Sequence, residues 1–406
     1  MNDGMVARAT MIVLAVALAA PARAAPDEAE LGKAEGYPAC PPTLYIEMRC
    51  VVGLVTKRDE TYAARKVPKG ERVQALARAE REPSIAYRYA QESGGLDTYL
   101  DNTHTTGVLI VKDGTILAER YQYGATPASR MTSFSMGKTV TAMLVGIAVA
   151  EGAIASIDDR ADKYVPELRG TLYGETRIRH LLTMSSGIRF VETYSGSDDI
   201  ATLALLSLLG NSDGGAATLV PFTTRERPAG ERFHYSSADT QALGLVLRAA
   251  TGRTLADYLS EKIWKPMGAE ADASWLVDKG GYEIAYAGVN ATLRDWGRFG
   301  MLLADGGVAG GRQVIPSAWI RDATRPAGKG FYPGDHGQFF GYGYQTWIMP
   351  GEGRQFVLRG LRRQFVFVDP DAKLVMVSTA AENVAGGNGE QLALWNALTR
   401  TLAPRR

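Results

Sequence analysis

The feature that most constrains this chain is a long apolar run with a lysine at its mouth. From Thr139 to Gly152 the sequence reads TVTAMLVGIAVAEG, which is apolar on every side of a helix and so specifies a buried one. Immediately before it stands Thr132-Ser133-Phe134-Ser135-Met136-Gly137-Lys138. The first turn of a helix leaves backbone N–H groups without intrahelical partners, and residues three apart share a face. Ser135 therefore lies among free donors with Lys138 beside it. An ammonium in such surroundings is costly unless it works, since desolvation disfavours the charge. The same desolvation lowers the lysine pKa and lets the amine take the proton of the serine hydroxyl, which is nucleophilic catalysis without histidine. The bland alternative is an N-cap serine with a solvated lysine, because Ser-x-x-Lys arises by accident about once in a chain this long. The apolar context weighs against it.

With 406 residues at 46% hydrophobic composition, the chain can bury one large core or two modest ones. Its first 24 residues read as a secretory signal: Arg8, the apolar run Met11–Ala20, then Ala22-Arg23-Ala24 as a small-x-small cleavage site. The apolar run is about half the roughly 20 residues that a membrane span requires. The expectation is a periplasmic or secreted protein with no membrane anchor after cleavage. Losing residues 1–24 removes two arginines and one aspartate, taking the formal charge from +1 to zero. A balanced surface gives no electrostatic reason for a nucleic-acid or anionic-membrane partner. Cys40 and Cys50 are the only cysteines, and in an exported chain their spacing favours a disulfide that staples the N-terminal arm. A zinc site there would be short of ligands, and neither a metal nor a cofactor is expected.

Residues 25–95 read as an extension of extended segments and a short helix, without chemistry of its own. From Thr106, GVLIVKDGTILAERY places Asp113-Gly114 between two alternating apolar runs and predicts a hairpin. A second strand cluster, QFVLRG, QFVFVDP and KLVMVSTA, lies near the C-terminus, before a helix carrying Leu392, Trp395 and Leu398 on one face. Between the clusters the chain is mostly helical, with helices predicted at 135–150, 238–250 and 254–265. One domain over residues 96–406 follows, with a helical lobe inserted at about 150–300. The substrate-setting loops and the oligomeric state are not readable from such patterns.

The second chemical element is Tyr235-Ser236-Ser237, just ahead of a predicted helix. Alone it is a capping turn, with Ser236 or Ser237 as N-cap. Together with the Ser-x-x-Lys helix it resembles the serine β-lactamase and penicillin-binding-protein superfamily, class C branch. HLLTMSSGIRF at 180–190, WKPMGAEADASW at 264–275, YAGVNATLRDWGRFG at 286–300 and YGYQTW at 342–347 look like the 6-aminohexanoate-dimer hydrolase and family VIII esterase members. The resemblance implies an α/β fold of the α+β kind, with an antiparallel sheet flanked by helices and an all-helical lobe inserted. It also implies roles: Ser135 the acylated nucleophile, Lys138 its activator, Tyr235 the proton carrier and the base for deacylation, Ser237 a hydrogen-bonding neighbour, and Tyr194 a substrate contact.

The superfamily's third motif, Lys-Thr-Gly or His-x-Gly, is altered to Leu358-Arg359-Gly360, followed by Leu361 and by Arg362-Arg363 where relatives commonly carry glycines. Gly360 fits a strand with no room for a side chain, and the Leu361 N–H would be the second oxyanion donor beside that of Ser135. A leucine at 358 weakens the expectation of strong β-lactamase activity; Arg359 is the candidate to hold a substrate carboxylate, unless the alternation of the strand turns it away from the site. Four histidines occur, at 104, 180, 234 and 336, and His234 beside Tyr235 reads as structural because no matching acid or nucleophile elbow accompanies it. The expected function is an exported serine hydrolase acting on a small-molecule amide or ester. A DD-peptidase or weak β-lactamase is the same-fold alternative, and a non-catalytic binding protein is the other.

Overall fold

The structure, a computed structural model, describes residues 28–41, 47–382 and 389–402. The extension supplies helix α1 (Met48–Thr56), the short strands β1 (Ala64–Val67) and β2 (Ala77–Arg78), and a small hairpin over Tyr87–Tyr89 and Glu92–Gly94. Cys40 and Cys50 are bridged, with Cα atoms 5.5 Å apart, so the arm is stapled to α1 as expected. The Asp113-Gly114 hairpin forms as β3 (Thr105–Lys112) and β4 (Thr115–Tyr121), with both turn residues at positive φ, 48° and 74°. Asp-Gly supplies that geometry. Strand β5 (Arg130–Thr132) then leads into α2 (Gly137–Ala150), the apolar helix.

Later in the chain come α3 (Ser237–Thr251), β6 (Ala273–Leu276), β7 (Val289–Thr292) and α4 (Leu293–Ala304). The C-terminal part adds β8 (Gly341–Tyr342), β9 (Trp347–Ile348), β10 (Phe356–Gly360), β11 (Gln364–Asp369), β12 (Leu374–Ala380) and α5 (Gly389–Leu402). The main sheet has eight strands in the order β8-β9-β10-β11-β12-β3-β4-β2. All its pairs are antiparallel except β2–β4. The C-terminal strands thus complete a sheet begun by the hairpin.

Side chains alternate across a strand, and the central strands feed two cores. Leu109, Val111, Val366, Val368, Val375 and Val377 face the core shared with α2, α3 and α4. Val108, Ile110, Phe365, Phe367 and Met376 face the core under α5 and the helix Leu96–Asn102. On α5, Trp395 stacks on Phe367 at 5.3 Å, the packing role its periodicity predicts. On α4, Gly297 and Gly300 face the sheet, where an added Cβ would stand 2.6 Å from Leu109 and 2.7 Å from Val375.

The region 150–300 departs from the expectation of an all-helical lobe. Strands β6 and β7 lie within it and join β1 and β5 in a second, four-stranded antiparallel sheet, order β1-β6-β7-β5. Four-residue strands bury their side chains through tertiary contact and carry too little alternation to be told from loops.

Between β10 and β11, Arg362 and Arg363 both take positive φ, 58° and 63°, which is why glycine suits these positions. Both are buried, and both are anchored at Glu382: Arg362 donates to its carbonyl at 2.9 Å and Arg363 to its carboxylate at 2.8 Å. Breaking a buried pair by removing one partner costs about 3 kcal/mol or more. Glu382→Ala is expected to lower the unfolding free energy from urea titration by that amount with an unchanged slope; a loss below about 1 kcal/mol would make the anchor dispensable.

Candidate active site

The apolar helix and the strand beside it dictate where the serine stands. Phe134–Met136 form a short 3-10 turn ahead of α2, and Phe134 enters it at φ 40°. Ser135 lies in this turn, at the mouth of the buried helix. The last residue of β10, Gly360, runs hard against it: a Cβ there would lie 2.3 Å from the Ser133 carbonyl oxygen. No side chain fits at that position, and the glycine of the third motif is explained.

Lys138 is 1% exposed and donates to three oxygens: Ser135 Oγ at 2.8 Å, Ser237 Oγ at 3.0 Å and the Tyr286 carbonyl at 3.1 Å. Three partners satisfy an ammonium; a neutral amine keeps two of them and turns its lone pair toward the third. Burial lowers its pKa to about 8, while the charge of Glu192 works in the opposite direction. Both forms are therefore accessible near neutral pH.

Tyr235 precedes the cap of α3 and stacks on Trp347, ring centroids 5.3 Å apart. Its ring also covers the lysine, with Nζ 5.0 Å from the centroid. Burial and then Glu192 push the phenol pKa far up, and Ser135 and Arg359 only partly offset this. The resting phenol is protonated. Ser237 opens α3, while Ser236 is its N-cap, accepting from the Asp239 N–H. The capping turn and the site are thus one segment, because the cap turns Tyr235 and Ser237 toward α2.

Glu192 is the site residue that sequence reasoning missed. Its carboxylate accepts from the backbone N–H and the hydroxyl of Ser237, both at 2.9 Å, and from the Tyr194 hydroxyl at 2.7 Å. A carboxylate at the start of a helix is favourably placed, and this one orients the hydroxyl that receives Lys138. Within FVETYSGSDD nothing distinguishes it from a solvated loop acid. Tyr194 itself lies at the rim, 38% exposed.

On β10 the alternation buries Leu358 completely and turns Arg359 the other way. Its guanidinium stacks on Phe340 at 4.4 Å and Trp347 at 4.9 Å, and no carboxylate pairs with it among the described residues. It lines a cavity of about 420 Å³ together with Phe233, Phe339 and Trp347. Trp347 also stacks on Tyr235, so Arg359 and the cavity lie next to the Tyr235–Trp347 pair. Leu361 packs with Leu54, Val55, Tyr62 and Phe134. His234 binds the Phe190 carbonyl at 2.7 Å, a structural role. Among the described residues no cluster of His, Cys, Asp and Glu could hold a metal, and no helix is long and apolar enough to cross a membrane. The expected signal segment lies outside the described residues.

A family model described as Beta-lactamase matches residues 96–399. A 6-aminohexanoate-dimer hydrolase of Paenarthrobacter ureafaciens is 29% identical over 300 residues, covering 70% of this chain and 75% of the relative. A Bacillus anthracis structure provisionally described as a 6-aminohexanoate-dimer hydrolase superposes with a TM-score of 0.78 at 24% identity, over 89% of this chain and 97% of that one. A family VIII carboxylesterase structure follows at 0.56 and 18%, over 74% and 93%. At these identities the two structures define the fold.

The lysine geometry fixes a pH dependence. If neutral Lys138 is the base, acylation rises with pH through about 8 and then levels off. Glu192→Gln removes the charge that favours the ammonium and moves that midpoint to lower pH. An unmoved midpoint in single-turnover acylation would separate Glu192 from the lysine.

Proposed function

This chain belongs to the beta-lactamase family, and from that premise we propose that Ser135 carries an acyl group during hydrolysis of a small amide or ester. It is a serine hydrolase. In the reaction we propose, neutral Lys138 takes the Ser135 proton as Oγ attacks the carbonyl carbon. The N–H groups of Ser135 and Leu361 hold the oxyanion. Protonated Tyr235 gives its proton to the leaving nitrogen or oxygen and is reprotonated from the lysine. Lys138 then takes a proton from the attacking water and returns it to Ser135 Oγ as the acyl group leaves. This moves the base for deacylation from Tyr235 to Lys138, because a phenol held so far above its ordinary pKa has no anion to offer. Glu192 and Ser237 keep the amine aimed. The observation that carries the reading is a fully buried amine 2.8 Å from a serine hydroxyl, with a pKa near 8.

Amide hydrolysis of the 6-aminohexanoate-oligomer type, or carboxylester hydrolysis, is the substrate class we favour. The sequence likeness to the Paenarthrobacter ureafaciens enzyme supports it. The loss of a cation at 358, where Leu358 is buried in the core, argues against a strong β-lactamase or a DD-peptidase. Export is part of the proposal: it rests on Arg8, the apolar run Met11–Ala20 and Ala22-Arg23-Ala24, and accords with a disulfide at Cys40–Cys50.

A fluorophosphonate probe should label the wild type and spare Ser135→Ala; equal labelling of both would end the acyl-enzyme reading. Intact-protein mass after exposure to a p-nitrophenyl ester, a chromogenic cephalosporin, an aminohexanoate dimer and a D-Ala-D-Ala peptide then shows which acyl mass accumulates. We expect Arg359→Gln to raise KM about ten-fold for substrates bearing a free carboxylate and to leave uncharged esters unaffected. Equal effects on both classes would remove Arg359 from substrate recognition.

A further inference from the structure

We infer that Arg58, contributed by the N-terminal extension, is a positioning residue that holds the nucleophile turn in its working shape. The inference rests on Ser135 being the nucleophile. The extension lies ahead of the matched family residues, which begin at 96. Yet Arg58 packs on Phe134, the residue before Ser135. It follows α1, is 5% exposed, and has no carboxylate partner among the described residues. An arginine is not buried in this way without an alternative use for its charge and its planar face.

Both are used. The guanidinium lies over the Phe134 ring at 4.8 Å and the Tyr62 ring at 5.2 Å, and donates to the Ala287 carbonyl at 3.3 Å. Phe134 is the residue before Ser135 and is held at φ 40°, a conformation that a bulky side chain keeps only when its surroundings impose it. Ala287 follows Tyr286, whose carbonyl receives Lys138. One side chain therefore ties the strained entry to the nucleophile to the backbone that anchors the general base.

The rest of the arm supports the same point. Leu54 and Val55 of α1 join Phe134, Tyr62 and Leu361 in one apolar cluster, so the residues flanking both proposed oxyanion donors lean on this helix. Helix α1 is in turn held by the Cys40–Cys50 bridge and by close contact of Gly53 with Pro38, where a Cβ would meet the carbonyl oxygen at 1.9 Å.

The test compares wild type, Arg58→Met, Arg58→Lys, Phe134→Leu and the Arg58→Met/Phe134→Leu double variant on p-nitrophenyl butyrate and the fluorophosphonate probe. Arg58→Met should lower kcat and the labelling rate together by about ten-fold or more, with KM within about two-fold and the pH midpoint unmoved. Arg58→Lys should not restore the rate, since an ammonium has no planar face to stack. The double variant should lose little more than the worse single one. A folded Arg58→Met protein with wild-type kcat, additive losses, or rescue by lysine overturns the inference. If Arg58→Met does not fold, Phe134→Leu decides alone: an undiminished kcat overturns it. Labelling of Ser135→Ala would instead mark failure of the nucleophile assignment.

Discussion

Everything in this site depends on keeping one amine dry. Lys138 enters the core on the first turn of α2, and its Nζ is surrounded by the Ser135 hydroxyl, a second hydroxyl and a backbone carbonyl. A solvated lysine would stay charged at neutral pH and could not act as a base; a lysine in oil would find no acceptors and would not stay in place. The site lies between these limits. The apolar helix supplies the desolvation, the ring of Tyr235 covers one side, and Glu192, reaching the lysine through Ser237, supplies enough opposite charge to keep the ammonium form within reach.

The same constraint orders the fold around it. Helix α2 can be buried on all sides only if the main sheet, α3 and the second sheet enclose it. The sheet must bring β10 against the turn that carries Ser135, which requires a glycine at 360. Helix α4 lies close on the sheet because Gly297 and Gly300 present no side chains there. The arginine-bearing turn after β10 keeps a backbone shape natural to glycine by anchoring both guanidiniums on Glu382.

How much of this could be read from the sequence depended on distance along the chain. Ser135 and Lys138 share one helical turn, and Tyr235 and Ser237 stand at a helix start, so local rules bring their chemistry into view. Gly360 was legible for the same reason, as an unoccupied position on a strand. The hairpin, the three C-terminal strands and the last helix carried clear periodicity. Glu192 and Arg58 were not legible, since their partners lie 45 residues away at Ser237 and 229 away at Ala287. Their significance arises only when separate segments meet. The second sheet was missed because strands of four residues carry too little pattern. The orientation of Arg359 could be posed from strand alternation but needed the structure to be answered.

The bridge in the extension joins residues ten apart and lies wholly within the arm. It restrains the arm against itself and does not cross into the body of the fold. The extension meets that body through β1, β2 and the buried face of α1 instead. Because Leu54 and Val55 pack with Phe134, the bridge bears on the turn at Ser135 through a helix and not through a direct contact.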